Sequence, residues 1–461
     1  MEGIMGMGPG AAREALGAGS ISVCVVGVGR IGLPTALSFA EKGLPVTGLD
    51  INAPLVDRLN AGDYPLKDEP HFGRILGHAL AERKFSATTD ARSCIPASDV
   101  VLLSLPTPMD DANVPDYSAL LDVGAQLHGL LREGSIVVVE STVEPGFVEG
   151  DLARSIEGDG SRLRAGETFG LGACPENANP GEIYEYTNTR PRLVGATTPH
   201  TASIISEVYQ HVFPVRTVML GDCKTANAVK LAGNVFRDIN IAFVNEMSVL
   251  FERLGIDTYR VFEAAEAKKK FVAHYPGAGV GGPCIPVNSY QLLNLARSAS
   301  VRLGMVEAAR RANESMPAHV VGLVRCALEG AGRKLSGSTV LVLGITYKPD
   351  VKDIQLAPAG PVIEGLRREG ASVLVYDPFF CGEEAFGTTC ADSAYAKADC
   401  ADSAYAKADC AVLITDHTEF KSLDLARLAS CLGSRLLVDA RGAVSKEAAE
   451  KAGLILCGLG R

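Results

Sequence analysis

ISVCVVGVGRIGLPTALSFAEKGLPVTGLD, residues 21–50, joins a β-branched run, a glycine triplet, a helical spacing and a second apolar run ending on an acid. Ile21–Gly27 predicts a buried strand that closes on glycine. Helical spacing follows from Leu33 to Phe39, and Pro45–Leu49 predicts a second strand stopping at Asp50. That is a βαβ unit. Within Gly27-Val28-Gly29-Arg30-Ile31-Gly32, the first glycine permits the tight turn and the second lets backbone approach a pyrophosphate. The third allows close helix–strand packing, and the helix N-terminus, with Arg30 and Ile31 in the turn before it, attracts the anion. Asp50 is placed to accept hydrogen bonds from a ribose diol and would repel a 2′-phosphate, which favours NAD over NADP. A lone glycine triplet says little; here the surrounding elements complete it.

The same pattern continues outward. Val100–Leu105 and Ile136–Val139 predict further strands, and strands alternating with helices imply a parallel sheet covered on both faces. From Asp222 to Leu254 no proline interrupts the chain, and Gly255 suits a helix C-terminus. Such a helix is roughly 50 Å long. Its apolar residues occupy nearly the whole circumference, so it is expected to be enclosed, between domains and at the interface of a homodimer or higher oligomer. Thr339–Gly344, Ser372–Tyr376, Ala411–Thr415 and Arg435–Asp439 open a second α/β pattern. The expected fold class is therefore α/β: two Rossmann-like, doubly wound parallel-sheet domains joined by a long central helix and a helical dimerisation region. The expected division is a flexible leader at 1–19, a NAD-binding domain at 20–215, a central helical domain at 216–318 and a C-terminal Rossmann-like domain at 319–461.

Bulk properties agree with several domains, since 461 residues exceed the roughly 250–300 at which one core stops growing. A net charge of −10 disfavours a nucleic-acid partner. No apolar run is long enough to span a membrane, and the opening residues lack a secretory pattern. Twelve cysteines are scattered without a C-x-x-C pair, which predicts reduced thiols in a cytoplasmic protein and no metal site. ADSAYAKADC occurs at 391–400 and again at 401–410. Ten residues leave a helix about 80° out of phase, so one copy is expected to loop out.

Cys284 sits in PGAGVGGPCIP, residues 276–286, where the glycines, Gly281 among them, free the backbone to wrap around a ligand. On those residues alone it reads either as a nucleophile or as a small apolar filler. Lys230 and Asn234, four apart, share one helix face. The lysine either snorkels to the surface or is held in a polar pocket. Thr142 and Glu176 each follow a strand-like segment and could be ordinary loop residues.

Taken together, GVGRIGLP (27–34), the Thr107-Pro108 pair, ESTVEPG (140–146), CPENANPGEI (174–183), KLAGNVFRDINIAFVNE (230–246), GVGGPCIPVN (279–288) and LGITYKPDVKDIQLAP (343–358) resemble the nucleotide-sugar 6-dehydrogenases. The forms CPE…PG and NxFRDxNIAFxNE look closer to the UDP-N-acetylhexosamine branch than to UDP-glucose dehydrogenase. The resemblance implies NAD-dependent four-electron oxidation of a UDP-N-acetylhexosamine, with UDP-N-acetylmannosamine as best guess, at C6, for polysaccharide or glycan precursor synthesis. UDP-glucose or another nucleotide sugar is the alternative substrate. It further implies that Cys284 traps the C6 aldehyde as a thiohemiacetal that becomes a thioester, and that Lys230 and Asn234 stabilise oxyanions. Glu176 would assist the hydrolytic water with Thr142, and Thr107 and Thr142 would border the NAD. Lys270 falls where the family has an arginine reaching the sugar nucleotide, and Lys348 lies in the domain that grips the UDP.

Three positions depart from the family pattern. Asn288 stands for an aspartate and cannot accept a proton. Gln355 stands for an arginine in KDIQLAP, removing a bidentate anion clamp that Lys352 would replace only in part. Pro283 precedes the cysteine where the branch has histidine. Two other readings follow: a two-electron dehydrogenase that leaves Cys284 idle, and a non-catalytic nucleotide-sugar-binding subunit.

Overall fold

The β-branched runs become buried strands in the computed structural model, which describes residues 3–176, 178–269, 271–394 and 408–461. Two units are formed: Met1–Gly233 with Tyr290–Ser300, and Asn234–Ser289 with Val301–Arg461. In the first, β1 (Val23–Val26), β2 (Val46–Leu49), β3 (Phe85–Thr88), β4 (Val100–Leu103), β5 (Ile136–Val139), β6 (Gly170–Ala173), β7 (Arg192–Ala196) and β8 (Thr217–Met219) make one sheet. Their order is β3-β2-β1-β4-β5-β6-β7-β8. All pairs are parallel except β6 with β7.

Val23, Val25, Val100, Leu102, Ile136 and Val138 join the core on one face. Cys24, Val26, Val101, Leu103, Val137 and Val139 join the core on the other. This double burial explains why β1, β4 and β5 carry unbroken apolar runs rather than alternating ones. The strand order reverses between β1 and β4, so the crevice beyond their carboxyl ends is where such a sheet binds ligands.

The opening residues, expected as a flexible leader, are instead folded. Pro9–Gly17 is a helix, and Ile4, Ala12 and Leu16 are fully buried. Arg13 pairs with both Glu207 carboxylate oxygens at 2.8 and 2.7 Å, and the Met5 carbonyl lies 2.8 Å from His200 Nε2. Ala12 and Leu16 bury one side of this helix, which packs against the helix Pro199–Val212, while Gly8, Gly10 and Gly17 stay in open space.

The helix expected from Asp222 spans Cys223–Leu254, 32 residues, which at 1.5 Å per residue is about 48 Å. Its first part belongs to the first unit and its remainder to the second. Within the single chain it is covered on one side only. Leu231, Val235, Ala242 and Val244 are buried, but Phe236, Phe243 and Leu250, at successive sevens, are 57%, 48% and 49% exposed. The apolar residues split into a covered face and an uncovered stripe, because one chain supplies partners for only one side.

The second unit holds β9 (Thr339–Leu343), β10 (Ser372–Tyr376), β11 (Glu384–Ala385), β12 (Thr388–Thr389), β13 (Cys410–Leu413), β14 (Leu436–Asp439) and β15 (Ile455–Gly458). Five of them form a parallel sheet ordered β10-β9-β13-β14-β15, and β11–β12 is a separate antiparallel pair. Residues 395–407 of the direct repeat, and with them the expectation that one copy loops out, lie outside the described residues. Among the described residues no helix is long and apolar enough to cross a membrane.

Candidate active site

The glycine turn follows β1 as the sequence predicts. Gly27 has φ +86°, and a Cβ there would lie 2.6 Å from the Ser104 carbonyl oxygen. At Gly32 a Cβ would fall 1.8 Å from the Gly27 oxygen, so the helix Gly32–Glu41 starts only because that side chain is missing. Gly29 faces open space. The helix has no side-chain cap at Ile31, which leaves its polarised N-terminus turned to that space. Asp50, just past β2, accepts from the Val28 and Asn52 N–H groups, each at 2.9 Å. Arg30 is paired with Asp68. The open glycine, uncapped helix end and acid at the second strand fit a dinucleotide whose pyrophosphate lies over the turn.

On the other side of the reversal, the Thr142 carbonyl accepts from Thr107 Oγ1 at 3.0 Å and from Gln291 Nε2 at 3.1 Å. Ser141 Oγ donates to the Leu105 carbonyl at 2.7 Å and accepts from its N–H at 2.9 Å. The ends of β4 and β5 are thereby locked together.

Behind this rim lies a buried ionic cluster. Glu176 is ion-paired with Arg192, both at most 9% exposed. The Arg192 guanidinium sits 4.1 Å from the centre of the Phe213 ring. Glu140 accepts from Tyr209 Oη at 2.7 Å and is bonded by Ser104. Burial, then the Glu176 charge, push the Glu140 carboxyl up to about 7, against the pull of Arg192. Lys230 Nζ donates to the Glu176 carbonyl at 2.5 Å. The CPENANPGEI loop is held from beneath by Glu69, which accepts from Gly181 N at 2.5 Å and Ile183 N at 3.2 Å.

In the second unit, Cys284 is exposed at the head of the helix Ile285–Ser298. Its carbonyl accepts the Asn288 N–H at 2.9 Å. One turn on, buried Asn288 accepts from Asn234 Nδ2 at 2.5 Å. An asparagine at 288 thus receives the contact by its carbonyl oxygen. Gly282 N donates to the Gln355 carbonyl at 3.0 Å. At Gly281 the space for a Cβ is taken by the Leu356 oxygen at 2.4 Å, so tight loop packing alone requires glycine there. Lys352 is engaged by Glu383.

The second sheet also reverses, between β9 and β13, and the segment 344–358 containing Lys348 follows β9 at that point. His417, fully buried, braces it. The Asp350 N–H donates to His417 Nδ1 at 2.9 Å, which leaves the ring proton on Nε2, 3.0 Å from Asp377 Oδ2. Burial works against the Asp377 charge, yet His417 and the Ile345 N–H hold its carboxyl below the usual range. Asp377 accepts that N–H at 2.8 Å.

Of the residues singled out from sequence, the structure joins Thr107 with Thr142, Lys230 with Glu176, and Asn234 with Asn288. Lys270 lies outside the described residues. Arg192, Glu140, Tyr209, Gln291 and His417 were not anticipated. Each is a common residue type far in sequence from its partner, and only the ESTVEPG motif marked one of them.

Three segments match models of the UDP-glucose/GDP-mannose dehydrogenase family: residues 21–213 its NAD binding domain, 224–315 its central domain and 341–446 its UDP binding domain. The chain is similar to the UDP-N-acetyl-D-mannosamine dehydrogenase of Pyrococcus horikoshii, 32% identical over 439 residues that cover 95% of this chain and 99% of the other. It is 31% identical to the UDP-N-acetyl-D-glucosamine 6-dehydrogenase of Pseudomonas aeruginosa, covering 87% and 92%. A solved structure of UDP-D-ManNAc dehydrogenase from Pyrococcus horikoshii matches with a TM-score of 0.86 at 32% identity, covering 96% and 99%.

Proposed function

Since this chain belongs to the UDP-glucose/GDP-mannose dehydrogenase family, we propose that it oxidises a UDP-N-acetylhexosamine, UDP-N-acetylmannosamine first, at C6 to the uronate. It is a nucleotide-sugar dehydrogenase with an NAD-binding and a UDP-binding domain. NAD would be held by the Gly27–Gly32 turn, Asp50, Thr107 and Thr142 and would supply the hydride acceptor, one molecule for each of the two oxidations.

The residues act on the sugar in sequence. Loss of a hydride from C6 and of the proton from its hydroxyl oxygen leaves an aldehyde, and the Cys284 sulfur, as thiolate, adds to its carbon while the oxygen becomes anionic. The Lys230 ammonium and Asn234 amide are the donors for that oxygen; deleting one such donor costs about 100- to 1000-fold in rate. Loss of a second hydride makes the thioester. Water then cleaves the C–S bond, returning the thiol and releasing the carboxylate, with Glu176 and Thr142 placing the water. Asn288 orients Asn234 rather than taking a proton. Lys348, and Lys270 outside the described residues, would meet the nucleotide. The supporting observation is the pair of 2.5 Å bonds, Lys230 to Glu176 and Asn234 to Asn288, made from consecutive turns of one helix.

The remaining assignments follow the same reading. The domains run 20–215, 216–318 and 319–461. The chain works as a homodimer or higher oligomer, supported by the exposed Phe236, Phe243 and Leu250 stripe. We place it in the cytoplasm on its scattered cysteines without a C-x-x-C pair.

NADH formation followed with UDP-N-acetylmannosamine, UDP-N-acetylglucosamine, UDP-N-acetylgalactosamine, UDP-glucose and GDP-mannose tests the proposal. Two NADH per sugar are expected with an N-acetylhexosamine, and Cys284→Ser is expected to stop before the acid. One NADH per sugar, or an unaltered rate in that variant, would sink it.

A further inference from the structure

The glycine-rich segment that carries Cys284 has no regular structure of its own between Pro276 and Pro283, yet both of its ends are pinned to one buried polar network. Asp238, on the long helix and fully buried, is the node. Its Oδ2 accepts from Ser289 Oγ at 2.7 Å, and Ser289 follows Asn288 in the helix that Cys284 heads. Its Oδ1 accepts from Arg310 Nη1 at 2.9 Å and Asn313 Nδ2 at 2.7 Å. Asn313 Oδ1 in turn accepts from Asn245 Nδ2 at 2.9 Å. Asn245 Oδ1 accepts the backbone N–H of Gly277, at the start of the loop, at 3.0 Å. Asp238, Asn245, Ser289, Arg310 and Asn313 are all at most 4% exposed.

A buried carboxylate with a single arginine would already be satisfied for charge. This one also reaches the far end of the cysteine loop, and through Asn313 and Asn245 it reaches the near end. Hydrogen bonds in such a dry network reinforce one another, so removing one arm loosens the loop end that it holds. We propose that Asp238, Asn245 and Ser289 are positioning residues that hold the two ends of the Cys284 loop, so that the sulfur captures the C6 aldehyde before it escapes. This rests on the reading of Cys284 as the nucleophile. None of the three touches the reacting atoms; they act through the loop.

The consequence is specific to the middle of the reaction. A loosened loop leaves the first oxidation possible but slows the addition of sulfur to carbon, where a displacement of about 1 Å can cost about 100-fold. A variant that merely folds less well loses both oxidations together and keeps their ratio.

The test uses the full-length enzyme with limiting sugar nucleotide and hydroxylamine as aldehyde trap. NADH per sugar is read at the end point and the oxime by mass spectrometry. Wild-type enzyme is expected to give two NADH and no oxime. Ser289→Ala, which removes one hydroxyl, is expected to turn over roughly 10- to 100-fold more slowly, with a ratio between one and two and with oxime formed. Asn245→Ala cuts the opposite arm and should do the same, which keeps the test informative if either variant folds poorly. Slower turnover with the ratio still at two and no oxime, or no change at all, overturns the positioning role. If wild type itself yields one NADH per sugar, the nucleophile reading has failed instead, and that is visible before any variant is made.

Discussion

Replacing Glu140 by glutamine isolates the electrostatics at the end of β5. In the folded chain, burial and the Glu176 charge raise this carboxyl from its ordinary 4.5 to about 7. A carboxyl raised in this way holds its proton more tightly when folded than when unfolded. The stability it confers is therefore complete below pH 4.5 and is lost as pH climbs to 7. At about 1.4 kcal/mol per pH unit, the loss over that interval is about 3 kcal/mol. A glutamine side chain stays neutral, can accept from Tyr209 Oη and can donate to Ser104 Oγ, so the bonding pattern survives. The stability of E140Q minus that of wild type should therefore grow by about 3 kcal/mol between pH 4.5 and pH 8. Urea unfolding at a series of pH values reads this directly, followed by far-ultraviolet circular dichroism because the chain has no tryptophan. A difference that stays flat within about 1 kcal/mol, or shrinks as pH rises, would refute the reasoning.

Two further perturbations separate binding from folding and test assembly. Gly29→Ala enters open space and should change stability by no more than about 1 kcal/mol while weakening NAD at least about tenfold, the scale of one lost close approach to the pyrophosphate. Gly32→Ala meets the Gly27 oxygen at 1.8 Å and should lower the melting temperature as well as NAD affinity, both measurable by calorimetry. Phe236→Glu, on a side chain 57% exposed, should leave monomer stability within about 0.5 kcal/mol but shift sedimentation toward the monomer. An unchanged sedimentation profile would exclude that stripe as the interface.

Much of the fold could be read along the chain because burial on both faces leaves its mark locally. VVLL at 100–103 and IVVV at 136–139 have no polar side to disguise them. The glycine turn and Asp50 were equally plain, since strand, turn, helix and acid follow one another within thirty residues. Gly170–Ala173 was not recognised as a strand. With two glycines it has little side chain to signal one, and neighbours fill the room: a Cβ at Gly172 would stand 2.3 Å from Ile205 Cδ1. The leader misled in the opposite sense: several of its small residues do face open space, but Ile4, Met5, Ala12 and Leu16, too few to show a pattern, anchor it.

Local chemistry, repeated at short range, thus suffices for the two α/β halves, the dinucleotide turn and the long helix, because strand, helix and turn preferences act between near neighbours. Partnerships across the chain belong to the folded state alone. Arg192 meets Glu176 across 16 residues, Asn234 meets Asn288 across 54 and Asn313 meets Asp238 across 75. No periodicity encodes such pairings; they exist because sheet order and helix packing exclude water and oblige each buried polar group to find a partner.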